Sequence, residues 1–277
     1  MFRRRRPRGT AMRKIDAHMH VAGGGQNFPG CEVDSVIDAA DRLEIDQLAC
    51  SIPITGGRWA TPDEVRACND GLLEAMRRYP WRILGYCFLN PGYGAEALAE
   101  LERCVVREGM IGVKLYNQYK INDPVVFPII ERTIELGVPI LVHAARLITP
   151  QDIASQPLTS HAMDFVDVGR RYPDAMIIEG HIAGGGDWQW TLKVLRDAPR
   201  SIYLDTSGSV MDSGMLERCV RDFGEDRLLF ATDMTMEGNV ARVRDADITD
   251  EQRQKIFHRN FERILTRARA GGGRRGG

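Results

Sequence analysis

Several features that would place a sequence quickly are missing from this one. None of its six cysteines (Cys31, Cys50, Cys68, Cys87, Cys104 and Cys219) belongs to a CxxC pair, and no zinc-finger histidine spacing accompanies them. That excludes a disulfide scaffold and a zinc finger, and the thiols read as reduced and mostly buried, with the cytoplasm as default compartment. No apolar run approaches the roughly 18 to 20 residues of a spanning helix, so no membrane contact is expected. Charge of one sign is also missing: 37 Lys and Arg stand against 38 Asp and Glu, which removes any bulk bias toward polyanions. Repeats of solenoid length are absent. The glycines at 184–186, just before Asp187 and Trp188, lack the spacing of a dinucleotide or phosphate-loop fingerprint and read as a flexible turn.

What is present is an ordinary globular composition, 43% hydrophobic and 27% charged, over a length that one α/β barrel can fill. The local exception is the start, where MFRRRRPRG places five arginines in eight residues without the apolar run of a secretion signal. Residues 1–12 are therefore expected to be a disordered basic arm, or residues added upstream of a start at Met12. Nucleic-acid association through this arm is a remote reading. The Gly/Arg-rich tail over 267–277 is likewise expected to lie outside the fold, which leaves 13–266 as the folded domain.

Short apolar runs alternate eight times with longer amphipathic segments, the rhythm of parallel βα units. The runs cover 14–21, 45–53, 82–90, 110–116, 139–145, 175–182, 201–207 and 227–234. Polar caps precede proline at Thr61-Pro62 and Asp123-Pro124, while Gly109 and Gly137 close helices before strands. Thr249 and Gln252 form a capping-box pattern at the start of a last helix reaching Leu265. Eight units in uninterrupted series favour a single closed (β/α)₈ barrel over an open doubly wound sheet.

Histidines concentrate at the ends of these runs. His18 and His20 in DAHMH share one side of a strand by their spacing of two, with Ala17 and Met19 expected to face the helices. His143, His181 and Asp233 end three further runs. In a barrel those C-terminal ends meet at one mouth, and four of only six histidines fall there, which points to a metal site rather than to scattered core imidazoles. His161 and His258 lie in helical segments and read as structural. By parity Glu179 accompanies His181 and Asp16 accompanies His18, so each is a candidate hydrogen-bond acceptor for a ligating imidazole, as is Asp205. Lys114 stands at the end of the fourth run with Tyr116 and Gln118 after it, and Arg58 and Trp59 follow the second. Loops at this end shape a pocket, which makes Lys114, Tyr116, Arg58 and Trp59 candidate substrate contacts.

Taken together, DAHMH, PILVHA, EGHIAGGGDW, LFATDM and IFHRNFERIL make the chain resemble the amidohydrolase superfamily over about residues 13 to 266. The resemblance is to the branch that includes aminocarboxymuconate semialdehyde decarboxylase. It implies that His18, His20 and His143 bind a divalent ion and that Asp233 both ligates and takes a proton from the attacking water. His181 is implied as a second ligand or as a group that polarises substrate or orients water. Lys114 stands where dinuclear members carry a lysine carbamate bridging two metals; a charged lysine binding a substrate carboxylate is the alternative. Zinc is the first expectation, with manganese or another divalent ion as substitutes, one or two per chain.

The expected chemistry is hydrolysis of an ester, lactone or amide bond in a small organic substrate, with Asp233 and His181 as catalytic groups. Nonoxidative decarboxylation of an unsaturated or aromatic acid, or hydration, is the alternative from the same branch. A metal-free lactonase is disfavoured because the ligand set looks whole. The implied partner is a small molecule, and a homo-oligomer is compatible with the chain.

Overall fold

Each apolar run becomes a strand. The computed structural model describes residues 12–182 and 186–272. The chain runs β1 (Ile15–His20), α1 (Val33–Arg42), β2 (Gln47–Ser51), α2 (Pro62–Arg78), β3 (Ile83–Phe88), α3 (Ala95–Leu101), β4 (Gly112–Leu115) and α4 (Phe127–Leu136). It continues through β5 (Ile140–Val142), α5 (Pro150–Ser155), α6 (Ala162–Arg171), β6 (Ile177–Glu179), α7 (Trp188–Leu195), β7 (Ile202–Asp205) and α8 (Met215–Asp222). It ends with β8 (Leu228–Leu229), α9 (Met236–Arg244), α10 (Asp250–Gln254) and α11 (Asn260–Gly272). All eight strands fall within the expected segments, and they pair in sequence order from β1 to β8. Closure comes from the residues just after β8. The Ala17 N–H donates to the Phe230 carbonyl, and the Asp233 N–H to that of His18, each at 2.8 Å, so the chain is a (β/α)₈ barrel.

Two apolar layers hold it. Outside the sheet, Leu48, Val113, Ile140, Ile177 and Leu204 pack against Leu72, Ile130, Phe165 and Leu192 from the helices. Inside, Ala17, Ala49, Tyr86, Leu141, Ile178 and Leu229 form a second cluster, to which α11 contributes Phe261, Ile264 and Leu265. Each large side chain removed from water in this way stabilises by about 1.5 to 3 kcal/mol. Register assigns the faces of the remaining positions: Lys114 pairs with Leu141 and so points inward, while Glu179 pairs with Val142 and Leu204 and points toward the helices.

The helix starts also behave as expected. Thr61 accepts from the Glu64 N–H while the Glu64 carboxylate accepts from the Thr61 N–H, and Gly137 closes α4 at φ 69°. The last helix differs from the expectation. A wide π turn at Lys255–Arg259 separates α10 from α11, and it frees the Ile256 carbonyl to accept from the Phe230 N–H at 2.9 Å. α11 then runs to Gly272, beyond the boundary expected at 266. The expected basic arm lies outside the described residues over 1–11, as do Gly184, Gly185 and residues 273–277 of the tail. All six cysteines are unpaired and buried.

Candidate metal centre

β1 carries a bulge: Asp16 pairs with Leu48 and Met19 with Cys50, so three steps on β1 match two on β2. Simple alternation therefore fails here. Ala17 joins the inner cluster instead of facing the helices, while His18 and His20 still reach one point at the mouth. The His18 Nδ1–H donates to Asp205 Oδ2 at 2.9 Å, and the His20 Nδ1–H to the Ser51 carbonyl at 3.2 Å. With Nδ1 protonated in each ring, both Nε2 atoms present lone pairs, and they face each other at 3.3 Å. Asp233 Oδ1 lies 3.2 Å from His20 Nε2 and 3.6 Å from His18 Nε2, and the three donor atoms all fall within 4.8 Å of one another. Two imidazole lone pairs and a carboxylate oxygen directed at one point repel unless a cation lies among them. The residues present therefore fit a divalent metal ion, with Asp205 and Ser51 fixing the rings from behind.

Asp233 follows β8 in a left-handed conformation, φ 42°, as does Met234 at 68°. His181, after β6, has φ 68°. Three of the four non-glycine residues with positive φ among the described residues thus line this mouth, which is where backbone strain tends to be stored for function. His181 Nε2 lies 3.0 Å from Asp233 Oδ2, its Nδ1–H donates to the Ala144 carbonyl, and its backbone N–H to Asp205 Oδ1, both at 2.9 Å. Burial pushes the Asp233 carboxyl up, but His18 and His181 outweigh it and hold the group well below the usual carboxylate range. Burial likewise lowers His181, yet Asp233 more than compensates and leaves its pKa raised.

His143, half-buried just past β5, stacks on Tyr116 with centroids 4.1 Å apart and meets His181 edge-on at 4.7 Å. Burial, then His181 and Lys114, keep its imidazole neutral. Lys114 is fully buried and donates from Nζ to His18 Nε2 at 2.9 Å; burial brings its pKa down to about 8. His18 itself is held down to about 4, by burial first and Lys114 second.

Two expected supports act differently. Asp16 accepts from the Thr232 hydroxyl and from the backbone N–H groups of His18 and Thr232, so it ties β1 to the end of β8 and touches no imidazole. Glu179 faces the helices because the left-handed turn at His181 resets the alternation, and its Oε2 has no hydrogen-bond partner. Asp205 does fill the expected role. Sequence reasoning missed Ser51 and the Ala144 carbonyl, and also Phe28, which stacks on His20 at 5.5 Å. Only the ladder neighbours of the histidines could have signalled the first two.

At the rim, Arg58 is ion-paired with Glu64, and Trp59, 47% exposed, meets Tyr119 edge-on at 5.1 Å. Gln118 donates to the carbonyls of Ile54 and Arg58, which ties two mouth loops together. His161 sits at the N-terminus of α6 and His258 pairs with Glu262, both away from the centre. A separate cavity of about 290 Å³ lies between α2 and α3, where Glu100 and Arg103 on its wall neutralise each other.

Several known proteins are similar to this chain. At the sequence level, the 2-amino-3-carboxymuconate-6-semialdehyde decarboxylase of Dictyostelium discoideum is 25% identical over 57% of this chain, which spans only 49% of that relative. The gamma-resorcylate decarboxylase of a Polaromonas strain is 25% identical over 73% of this chain and 76% of its own. A 2-keto-4-carboxy-3-hexenedioate hydratase from a Sphingobium strain is 24% identical over 78% and 75%. Among solved structures, 5-carboxyvanillate decarboxylase from Sphingomonas paucimobilis superposes with a TM-score of 0.70 at 16% identity, covering 92% of this chain and 99% of the other. A dihydroxybenzoic acid decarboxylase from Polaromonas, with bound manganese, gives 0.69 at 19% identity over 94% and 98%. These two likenesses show the shared fold. The amidohydrolase family profile matches residues 15–267, and the chain belongs to that family, in the branch that includes aminocarboxymuconate semialdehyde decarboxylase.

Proposed function

We propose that this chain is a metal-dependent nonoxidative decarboxylase of a small unsaturated or aromatic carboxylic acid, in preference to the hydrolase that its motifs first suggest. Two decarboxylases and a hydratase among its relatives support this choice. The observation that carries it is the convergence of His18 Nε2, His20 Nε2 and Asp233 Oδ1 beside the buried Lys114 ammonium. Asp233 and Asp205 supply two negative charges, and a divalent ion with Lys114 exceeds them. A net positive, water-poor mouth selects an anionic acid over a neutral ester or amide.

In this reading His18, His20 and Asp233 would hold the ion, and His143 would be a further neutral ligand. The ion would supply an electrophilic anchor for substrate oxygens; zinc and manganese both suit such donors. His181 is the proton donor. As the bond to the carboxylate breaks, CO₂ departs, the electron pair stays on carbon, and the His181 Nε2 proton neutralises it. Asp233, 3.0 Å away, accepts from that Nε2–H and raises the pKa of the imidazole, which favours its protonated form. The stacked pair of Tyr116 and His143 offers a flat wall for a planar acid.

The test is a panel of aromatic and unsaturated carboxylic acids alongside lactones and amides, given to protein loaded with manganese or zinc. Metal-dependent CO₂ release from one of the acids is expected. Lactone or amide hydrolysis with no CO₂ from any acid would overturn the reading.

A further inference from the structure

Arg242, on α9, directs its guanidinium at a single loop. The carbonyls of Thr206 and Ser207 accept from its Nη1 and those of Gly208 and Val210 from its Nη2, with 3.0 Å to Ser207 and 3.2 Å to Gly208. Nη2 also lies 3.2 Å from Met211 Sδ. The segment 206–211 follows β7 and is neither helix nor strand, so its carbonyls lack the partners that regular structure supplies. A planar fork of fixed donors can serve several carbonyls at once, where an ammonium is a point donor. The loop in turn grips His181. The Ser207 carbonyl also accepts from the Ile182 N–H at 2.9 Å. The Ser207 N–H and hydroxyl donate to Asp205 Oδ1 at 2.9 and 2.7 Å, and the His181 N–H donates to the same oxygen at 2.9 Å. Both peptide N–H groups around His181, at φ 68°, are therefore held by residues 205–207. Gly208, at φ 102°, lies so close that a Cβ there would stand 3.3 Å from His181 Cβ. A non-glycine residue in a left-handed conformation keeps it only where its surroundings over-determine it.

We propose that Arg242 is a positioning residue for the proton donor: it gathers the carbonyls of 206–210, and the loop so fixed holds the His181 peptide at the angle that aims Nε2 into the mouth. This deepens the decarboxylase reading and rests on it for the role of His181. The ring's own bonds to the Ala144 carbonyl and Asp233 set its rotation, while the loop sets the backbone from which it projects. Among the described residues, the hydrogen bonds of Arg242 go to this loop and none goes to His18, His20 or Asp233. Cation binding therefore does not depend on it directly, but proton delivery does. Transfer to carbon needs donor and acceptor in line, and a displacement of about 1 Å costs on the order of 10² in rate. A loosened loop lowers kcat and leaves ground-state binding in place.

Arg242→Gln and Arg242→Lys, loaded with manganese, test this on the acid that releases CO₂. In Arg242→Gln, kcat should fall by about tenfold to a hundredfold, with KM and manganese per chain unchanged. Arg242→Lys keeps a donor but loses the fork, and its kcat should lie between the two. Hydrogen exchange read by mass spectrometry needs no substrate. Peptides covering 177–182 and 204–211 should exchange faster in Arg242→Gln, while those of β2 to β4 keep the wild-type rate. Near wild-type kcat overturns the inference, as does a rise in KM alone or a loss of manganese. Faster exchange throughout the barrel overturns it too, since Arg242 would then only stabilise the fold. If Arg242→Gln fails to fold, Arg242→Lys is judged by the same criteria. If no acid releases CO₂, the decarboxylase reading fails by itself and exchange decides for Arg242: a faster rate at 177–182 supports its hold on His181, and an unchanged rate overturns it.

Discussion

Asp233 joins more of the mouth than any neighbouring side chain, with one oxygen between His18 and His20 and the other on His181. Asp233→Asn should fold, because the backbone N–H that closes the barrel onto His18 is unaffected. The amide keeps an oxygen for the cation but no longer holds His181 protonated. Turnover should therefore fall by roughly 10² to 10⁴, measured as kcat on an identified substrate alongside metal content. Near wild-type kcat with metal bound normally would show that Asp233 has no such role. The convergence of His18, His20 and Asp233 was legible because only a few residue types bind metals and these fall at the ends of two apolar runs, the first and the last. Ser51 was not, since it acts partly through its carbonyl, and every residue carries one. The inward reading of Glu179 failed for a different reason: alternation assumes extended backbone, and His181 at φ 68° breaks it.

Elements were more legible than their irregularities. Runs of strand length bounded by turn residues give the eight strands directly, but the π turn at Lys255–Arg259 answers a distant need, the Phe230 N–H, that no local pattern records. The capping box at α2 is local, and Thr61→Ala should cost about 1 kcal/mol in chemical denaturation with activity unchanged. A loss of activity at equal stability would place Thr61 in the mouth instead. The outward turn of Glu179 on β6 leads to a pH dependence. Burial, then Asp205 and Asp164, push its carboxyl from 4.5 to about 8, so the folded state holds a proton that the unfolded chain releases earlier. Wild-type stability from this group is complete below about pH 4.5 and is lost as pH rises to about 8. Glu179→Gln removes that dependence. Its advantage over wild type should grow across this window and level off above it, reaching on the order of 1 to 3 kcal/mol. Parallel melting curves at pH 5 and pH 8.5 that differ by a constant offset would contradict the proposed burial of a protonated acid.

At the scale of the whole molecule, the candidate metal centre coincides with the seam of the barrel. β1 brings His18 and His20, and the segment after β8 brings Asp233; these are the first and last elements of the sheet, joined by few backbone hydrogen bonds because β8 is only Leu228–Leu229. Asp16 and Thr232 add one polar link beneath the centre. A cation held by His18, His20 and Asp233 would therefore clamp the two ends of the chain's fold, and its binding should appear as stability as well as activity. An ion at a hundred times its dissociation constant adds about 2.7 kcal/mol, which for a chain of this size raises Tm by roughly 5 to 10 °C. Chelation should lower Tm by a similar amount, and readdition of manganese or zinc should restore it with a concentration dependence set by Kd. His20→Ala should abolish the response while leaving a folded, less stable barrel, since the ring stacks on Phe28 and donates to the Ser51 carbonyl but takes no part in the backbone pairing of the strands. A Tm that ignores chelator and both ions in the wild type, with catalysis intact, would mean that the seam holds without metal and that the lone pairs facing each other at 3.3 Å are satisfied by protons alone.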